Sequence, residues 1–384
     1  MISESQQPDS KWGPYFGVLP QQLDSLVFWT DEELAELQAS TVIRKIGKAK
    51  AEELFAQHIA SLGLPNYNTN ICHQVASTIM AYAFDIPERN TQEGNTSGDE
   101  SEEELLSDDE EDEKTLLSMI PLADMLNADA DRNNARLCCD NEELEMRTIK
   151  PILKGEEILN DYGRLPRSDL LRRYGYVTEN YAAYDVAEIS TASIISAFQN
   201  RGVGLPSLEL LSSEDLEKRV QLAEREGVYE ESYDLAHPGP DGPSIPDELL
   251  AILYLLLIDA ENFDAIFNSQ SSLPSRSKLA TELVGKVLAA LLKARENEYA
   301  TTLEEDQQLL KAGNLQRRTE MAIQVRVGEK GVLRDAIREA TAFEGSNKRM
   351  RVPKTLERER AVQNGKGKRR AEETSNSKKK GRFR

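Results

Sequence analysis

At 384 residues, 39% hydrophobic and 30% charged, the chain is long enough for two packed domains with solvated segments around them. No apolar run approaches the roughly 20 residues of a membrane span, the longest (Leu249 to Ile258) is ten, and the first residues carry no secretory leader, so no membrane role is expected. Cys72, Cys138 and Cys139 cannot form a disulfide framework and suit a reducing compartment, while His58, His73 and His237 lack metal-ligand spacing and imply no metal.

Residues 1–10 are polar and read as a flexible start. From Trp12 the pattern becomes globular, through Trp12-Gly-Pro-Tyr-Phe-Gly-Val-Leu-Pro20 and Phe28-Trp29. Thr30 followed by Glu33 has the form of a capping box. Leu34, Leu37, Val42, Ile46, Leu54, Phe55 and Ile59 continue at helical spacing, and Asn70 to Phe84 predicts a helix with Ile71, Val75, Ile79 and Ala83 on one face. Asp99 to Glu113 then holds eleven acidic residues in fifteen, which predicts a disordered surface loop. It lacks the glycine turn of a calcium loop.

Residues 116–186 carry a denser set of signals. Met119 to Asn127 is an apolar approach to an asparagine, and Ala135 to Cys139 and Leu144 to Ile149 predict two short strands. Pro151 to Gly163 reads as turn then strand, and a helix over Ser168 to Arg173 leads into Tyr174-Gly-Tyr-Val177. Beyond residue 187 the chain reads as helical, over Ser193 to Phe198, Ser213 to Glu226, Asp247 to Asp259, Ser277 to Tyr299, Leu303 to Lys311 and Leu315 to Phe343. From Lys348 to Arg384 fifteen basic residues face four glutamates, a local balance of +11 that leaves −31 on the remainder. The body would attract basic partners; the tail would not.

No phosphate loop, dinucleotide fingerprint or nucleophile motif is present. What stands out is an ordered set: Pro121-Leu-Ala-Asp-Met-Leu-Asn127, Asn134-Ala-Arg-Leu137, Pro151-x-x-x-Gly-Glu-Glu-Ile158, Asn160-Asp-Tyr-Gly163 and Arg173-Tyr-Gly-Tyr176. Together these resemble the carboxyl-terminal part of SET-domain protein lysine methyltransferases. The branch is the Rubisco-methyltransferase-like one, which includes the animal SET-domain-containing protein 6 and the fungal ribosomal lysine N-methyltransferase 4. Trp12 to Pro20, Phe28-Trp29 and Met80 to Phe84 resemble the helical insert of that branch, and Val325-Arg-Val-Gly-Glu-Lys330 resembles the end of its helical docking domain.

The resemblance implies an α+β chain: a partial, β-rich SET domain with a helical insert, then an all-α substrate-binding domain. The expected organisation is a flexible start (1–10), the insert (11–86), an acidic loop (87–115), the carboxyl-terminal SET region (116–186), the substrate-binding domain (187–345) and a basic tail (346–384). It implies S-adenosyl-L-methionine as cofactor and a basic protein, expected to be a large-subunit ribosomal protein, as substrate. Tyr162 matches the catalytic tyrosine, which also faces the cofactor. Asn127 and Ala128 match cofactor-binding positions, and Tyr82 and Tyr174 match positions lining the lysine site. Two departures stand out. The family's histidine after the motif asparagine is Ala128 here, and the family's opening strand pair with its Gly-x-Gly turn precedes the insert with which this chain begins, so the chain is expected to carry an incomplete cofactor cleft.

Methyl transfer to lysine needs these residue types. The amine must lose a proton against an ordinary pKa near ~10.4, which an apolar channel favours. A tyrosine hydroxyl can orient the amine, so positioning and electrostatics carry the rate. Two other readings remain open: a non-catalytic module docking a basic ribosomal or chromatin protein through 187–345, and an acidic chaperone acting through Asp99 to Glu113. The basic clusters Lys366 to Arg370 and Lys378 to Lys380 resemble a bipartite nuclear-import signal, although a solubilising tail is the plainer alternative. With Phe383 as its one aromatic, the tail would bind nucleic acid weakly at most, through phosphates. A monomer in the nucleus, with cytoplasm as a second site, is expected.

Overall fold

A computed structural model of the chain describes residues 1–64, 67–87, 115–140, 143–199, 211–240, 242–268 and 273–351. The acidic loop and nearly all of the basic tail lie outside the described residues, as do the expectations placed on them. The described chain divides into two compact units, one of Met1–Leu34 with Val42–Ala182, the other of Ala35–Thr41 with the chain from Ala183 on.

In the first unit, short helices precede α2. Helix α1 spans Gly13–Val18, with Pro14 in its first turn where no N–H is needed. The Thr30–Glu33 capping box forms: Glu33 N–H donates to Thr30 Oγ1 at 3.3 Å and Thr30 N–H to Glu33 Oε2 at 2.8 Å. Helix α2 (Thr69–Tyr82) is capped by Asn68, whose side chain accepts from Ile71 N–H at 2.9 Å. Its buried residues are Cys72, His73, Ser77 and Thr78; the expected face of Ile71 and Val75 instead borders a cleft shared with Phe16 and Leu19.

Strand β1 (Ala83–Pro87) pairs antiparallel with β2 (Thr115–Met119), and β3 (Ala135–Asp140) pairs with β4 (Glu143–Thr148) in the register Ala135 to Thr148. The strand expected within Pro151 to Gly163 does not form a ladder; that expectation is corrected to one parallel bridge, Ala128 with Asn160. The reason is local. Pro151 has no N–H to give, and the Asn134 side chain takes the groups a partner strand would use: its amide donates to Glu157 O at 2.8 Å and its Oδ1 accepts from Leu159 N–H at 2.8 Å.

Helix α3 (Arg167–Tyr174) ends at Gly175, whose φ of +74° disfavours a side chain. A Cβ there would also lie 2.7 Å from the backbone of Asp24 and Ser25. Only glycine lets this turn close between Tyr174 and Tyr176.

The second unit is helical, as the pattern implies, with one strand pair the sequence did not suggest: β5 (Val186–Ser190) against β6 (Ser232–Ala236). Its helices are α4 (Thr191–Gln199), α5 (Ser213–Arg225), α6 (Asp247–Leu257), α7 (Ala260–Asn268), α8 (Glu282–Glu296), α9 (Leu303–Ala312) and α10 (Arg317–Thr341). The helix expected over Ser277 to Tyr299 breaks where Thr281 caps α8, accepting from Val284 N–H at 3.2 Å. Helix α6 is apolar all round and fully inside, from Leu249 through Leu257. Each such leucine contributes about 1.5–3 kcal/mol relative to exposure. Helices α8 and α10 approach so closely that a Cβ on Gly285 would sit 2.2 Å from Ala340 O.

The Val325 to Lys330 motif proves to be a buried polar core. Arg326 and Lys330 both hold Asp306, through Arg326 Nη2 to Oδ1 at 2.7 Å and Lys330 Nζ to Oδ2 at 2.6 Å. Glu329 accepts from Ser40 Oγ and from Tyr299 Oη, each at 2.6 Å. Arg295 Nη2 donates to Ala39 O at 2.7 Å, so the 35–41 segment is held by buried charged groups of this unit.

Candidate active site

All five residues singled out from the sequence lie in the first unit, and the structure brings three of them together. Tyr82 is the last residue of α2, Tyr162 follows the Ala128–Asn160 bridge, and Tyr174 is the last residue of α3. The rings of Tyr162 and Tyr174 stack with centroids 4.8 Å apart and planes 13° apart, and Tyr176 is tilted against Tyr174 at 6.3 Å. Tyr162 Oη donates to Leu126 O at 2.8 Å, which fixes the hydroxyl beside the apolar run it follows in space.

Electrostatically the cluster is a set of neutral phenols. Burial pushes Tyr162 well above the ordinary tyrosine value, and Tyr174, Tyr176, Tyr82 and Asp124 add to the effect. Tyr174 and Tyr176 are raised mainly by burial, as is Tyr82, on which Asp124 also acts. A phenol held neutral in this way can donate or accept a hydrogen bond throughout the physiological pH range.

Asn127 and Ala128 sit on the neighbouring bridge. Asn127 is exposed, its amide donates to Glu157 Oε1 at 2.6 Å, and its carbonyl accepts from Asn160 N–H at 2.8 Å. Asn160 O in turn accepts from Asp129 N–H at 3.0 Å. In a parallel bridge these bonds use both groups of Asn160 and turn Ala128's own N–H and C=O to the other side. Neither group of Ala128 has a hydrogen-bond partner among the described residues. An adjacent donor and acceptor are therefore free at the position the sequence marked.

Four further residues belong to this site, Tyr15, Asp124 and Asp129 besides Tyr176. Asp124 is 3% exposed, and Tyr15 of α1 donates a short hydrogen bond to its Oδ2. Burial raises the Asp124 carboxyl above the ordinary range against the lowering effect of Tyr15 and of the Leu122 and Asp124 N–H groups. Asp129 is a buried hub, accepting from Arg132 Nη2 at 2.7 Å and Asn180 Nδ2 at 3.0 Å. Burial alone would raise its carboxyl, but Arg132 and the local N–H groups outweigh that and hold it below the ordinary value. Asp124, Tyr15 and Tyr176 all stood inside quoted motifs, yet no spacing in the sequence tied Tyr15 to Asp124.

Comparison with known proteins follows the same division of the chain. The SET domain model matches residues 5–163, and the Rubisco LSMT substrate-binding model matches residues 211–333. Ribosomal lysine N-methyltransferase 4 of Saccharomyces cerevisiae is 38% identical over 205 residues, covering 50% of this chain and 40% of that protein. The chain thus spans less than half of that relative's length. N-lysine methyltransferase SETD6 of Bos taurus is 28% identical over 372 residues, covering 87% of this chain and 75% of its own. The solved structure of Rubisco LSMT bound to AdoMet superposes with a TM-score of 0.58 at 21% identity over 88% of this chain and 72% of that one, a likeness of fold.

Proposed function

We propose that this chain, a SET-domain protein with a Rubisco LSMT substrate-binding domain, is an S-adenosylmethionine-dependent protein-lysine N-methyltransferase. The observation that carries this reading is the stacked pair of Tyr162 and Tyr174, with the Tyr162 hydroxyl fixed on Leu126 O at 2.8 Å.

The donor set fits the cofactor. Ala128 offers a free N–H and C=O side by side, the pattern that an adenine edge satisfies, and Asn127 offers its side-chain oxygen next to it. When bound, S-adenosylmethionine supplies an electrophilic methyl group on a sulfonium, which passes to the lysine nitrogen as the sulfur–carbon bond breaks. The chain's own residues supply the setting. Tyr174 and Tyr82 wall the lysine site with aromatic surface, which excludes water and favours the neutral amine over the ammonium. Tyr162, kept neutral by burial and with its proton given to Leu126 O, accepts an N–H from the neutral amine, which leaves the nitrogen lone pair free and in line. Asn134 is the positioning residue behind them, because its two side-chain bonds hold residues 157–159 and so place Asn160 beside Ala128.

The finer reading is a lysine on a large-subunit ribosomal protein. Its supports are the yeast relative and the charge of −31 outside the basic tail, which suits a basic substrate. The basic clusters at 366–370 and 378–380 support action in the nucleus. Calorimetric titration with S-adenosylmethionine tests the cofactor reading. Micromolar binding supports it, whereas no binding by a folded chain would favour a docking module.

A further inference from the structure

Asp124 is an acid in a place where acids are costly. It is 3% exposed, it makes no ion pair among the described residues, and its Oδ1 has no hydrogen-bond partner. Buried carboxyls of this kind are rare because an unpaired charge or an unmet acceptor costs several kcal/mol. The backbone beside it is also held in an uncommon state, since Leu122 has φ of +79° with its side chain 81% exposed.

Three phenols interact with this carboxyl. Tyr15 of α1 donates to Oδ2, Tyr82 at the end of α2 feels its charge, and so does Tyr162. No lysine, arginine or histidine pairs with it among the described residues. A buried acid without a cation, beside phenols, is an arrangement that favours a cationic ligand, because its carboxylate stabilises positive charge nearby.

We propose that the Asp124–Tyr15 pair gives the tyrosine cluster a pH-gated preference for cations, so that the site discriminates a sulfonium or ammonium from its neutral counterpart. Asp124 is a positioning residue here, acting through the field it sets at Tyr82 and Tyr162. Ionised Asp124 stabilises positive charge at the cluster; protonated Asp124 does not. Burial favours the protonated form and the hydrogen bond from Tyr15 favours the ionised one, so their balance sets the pH at which the change occurs.

This inference rests on the reading that the site binds S-adenosylmethionine, and its test separates the two. S-adenosylmethionine and S-adenosylhomocysteine differ by one methyl group and the sulfonium charge, so any titration of their shared amine cancels in the ratio of their affinities. Calorimetry of both ligands from pH 4 to 9 should show this ratio rising about tenfold in favour of the sulfonium, the scale of one unit charge ~12 Å away at an effective dielectric of ~20. Asp124→Asn should flatten the ratio across the range. Tyr15→Phe should keep the rise and move its midpoint to higher pH, and it decides the matter if the Asn variant fails to fold. A ratio that stays flat in the unaltered protein, or one that still rises in Asp124→Asn, would overturn the proposal. Failure of the unaltered protein to bind either ligand would overturn the cofactor reading itself and the inference with it.

Discussion

Glu329 offers a quantitative test of how the second unit is held together. The carboxyl is 4% exposed and burial raises it from 4.5 to about 7, with Arg295 pulling the other way and Asp185 adding to the rise. For an acid raised on folding, the stabilising effect is complete below the ordinary value and is lost as pH climbs through the folded value. Between roughly pH 4.5 and 7 the unfolded chain releases this proton while the folded one keeps it. The shift of about 2.5 units corresponds to about 3 kcal/mol lost by pH 8. Glu329→Gln removes the titration but keeps the contacts, since its amide can donate to one of the Ser40 and Tyr299 hydroxyls and accept from the other. Thermal or denaturant unfolding of both proteins should give near-equal stability at pH 5 and a variant more stable by up to about 3 kcal/mol at pH 8, or roughly 5–10 °C in Tm. A difference independent of pH, or one favouring Glu329 at pH 8, would refute this account of a buried acid held by two hydroxyls.

Two further substitutions probe the first unit. Gly175→Ala should destabilise by roughly 1–3 kcal/mol or more, from the left-handed φ and the 2.7 Å approach to Asp24 and Ser25, and calorimetric unfolding would read it. Asn134→Ala leaves Leu159 N–H and Glu157 O without partners, so a loss of about 1–3 kcal/mol is expected, together with weaker cofactor binding as Asn160 loosens beside Ala128. Unchanged Tm and affinity in that variant would remove Asn134 from the account.

Local chemistry was legible in the sequence and distant pairing was not. Thr30 with Glu33, and the strands near 135–139 and 144–149, follow from capping and alternation within a few residues. The motif tyrosines Tyr162 and Tyr174 came into view through resemblance, and the stacking of their rings is a tertiary fact. Asp124 and Tyr15 are 109 positions apart, and Ser40 and Glu329 are 289 apart. No periodicity encodes such pairs. The β5–β6 pair was hidden for the same reason, since its strands are joined by more than forty intervening residues that read as helical. The missing ladder at 151–163 is subtler. Its β-like composition is real, but the Asn134 side chain meets the backbone groups first.

The central claim is that Tyr162 serves methyl transfer to a protein lysine. The direct measurement is transfer of a tritiated methyl group from S-adenosylmethionine to purified large-subunit ribosomal proteins, comparing the chain with its Tyr162→Phe variant. The account predicts labelled lysine with the unaltered chain and a loss of about 100-fold or more in the variant, as removal of a positioned polar group at a reacting centre gives, with cofactor affinity kept. Equal labelling by both proteins would contradict it.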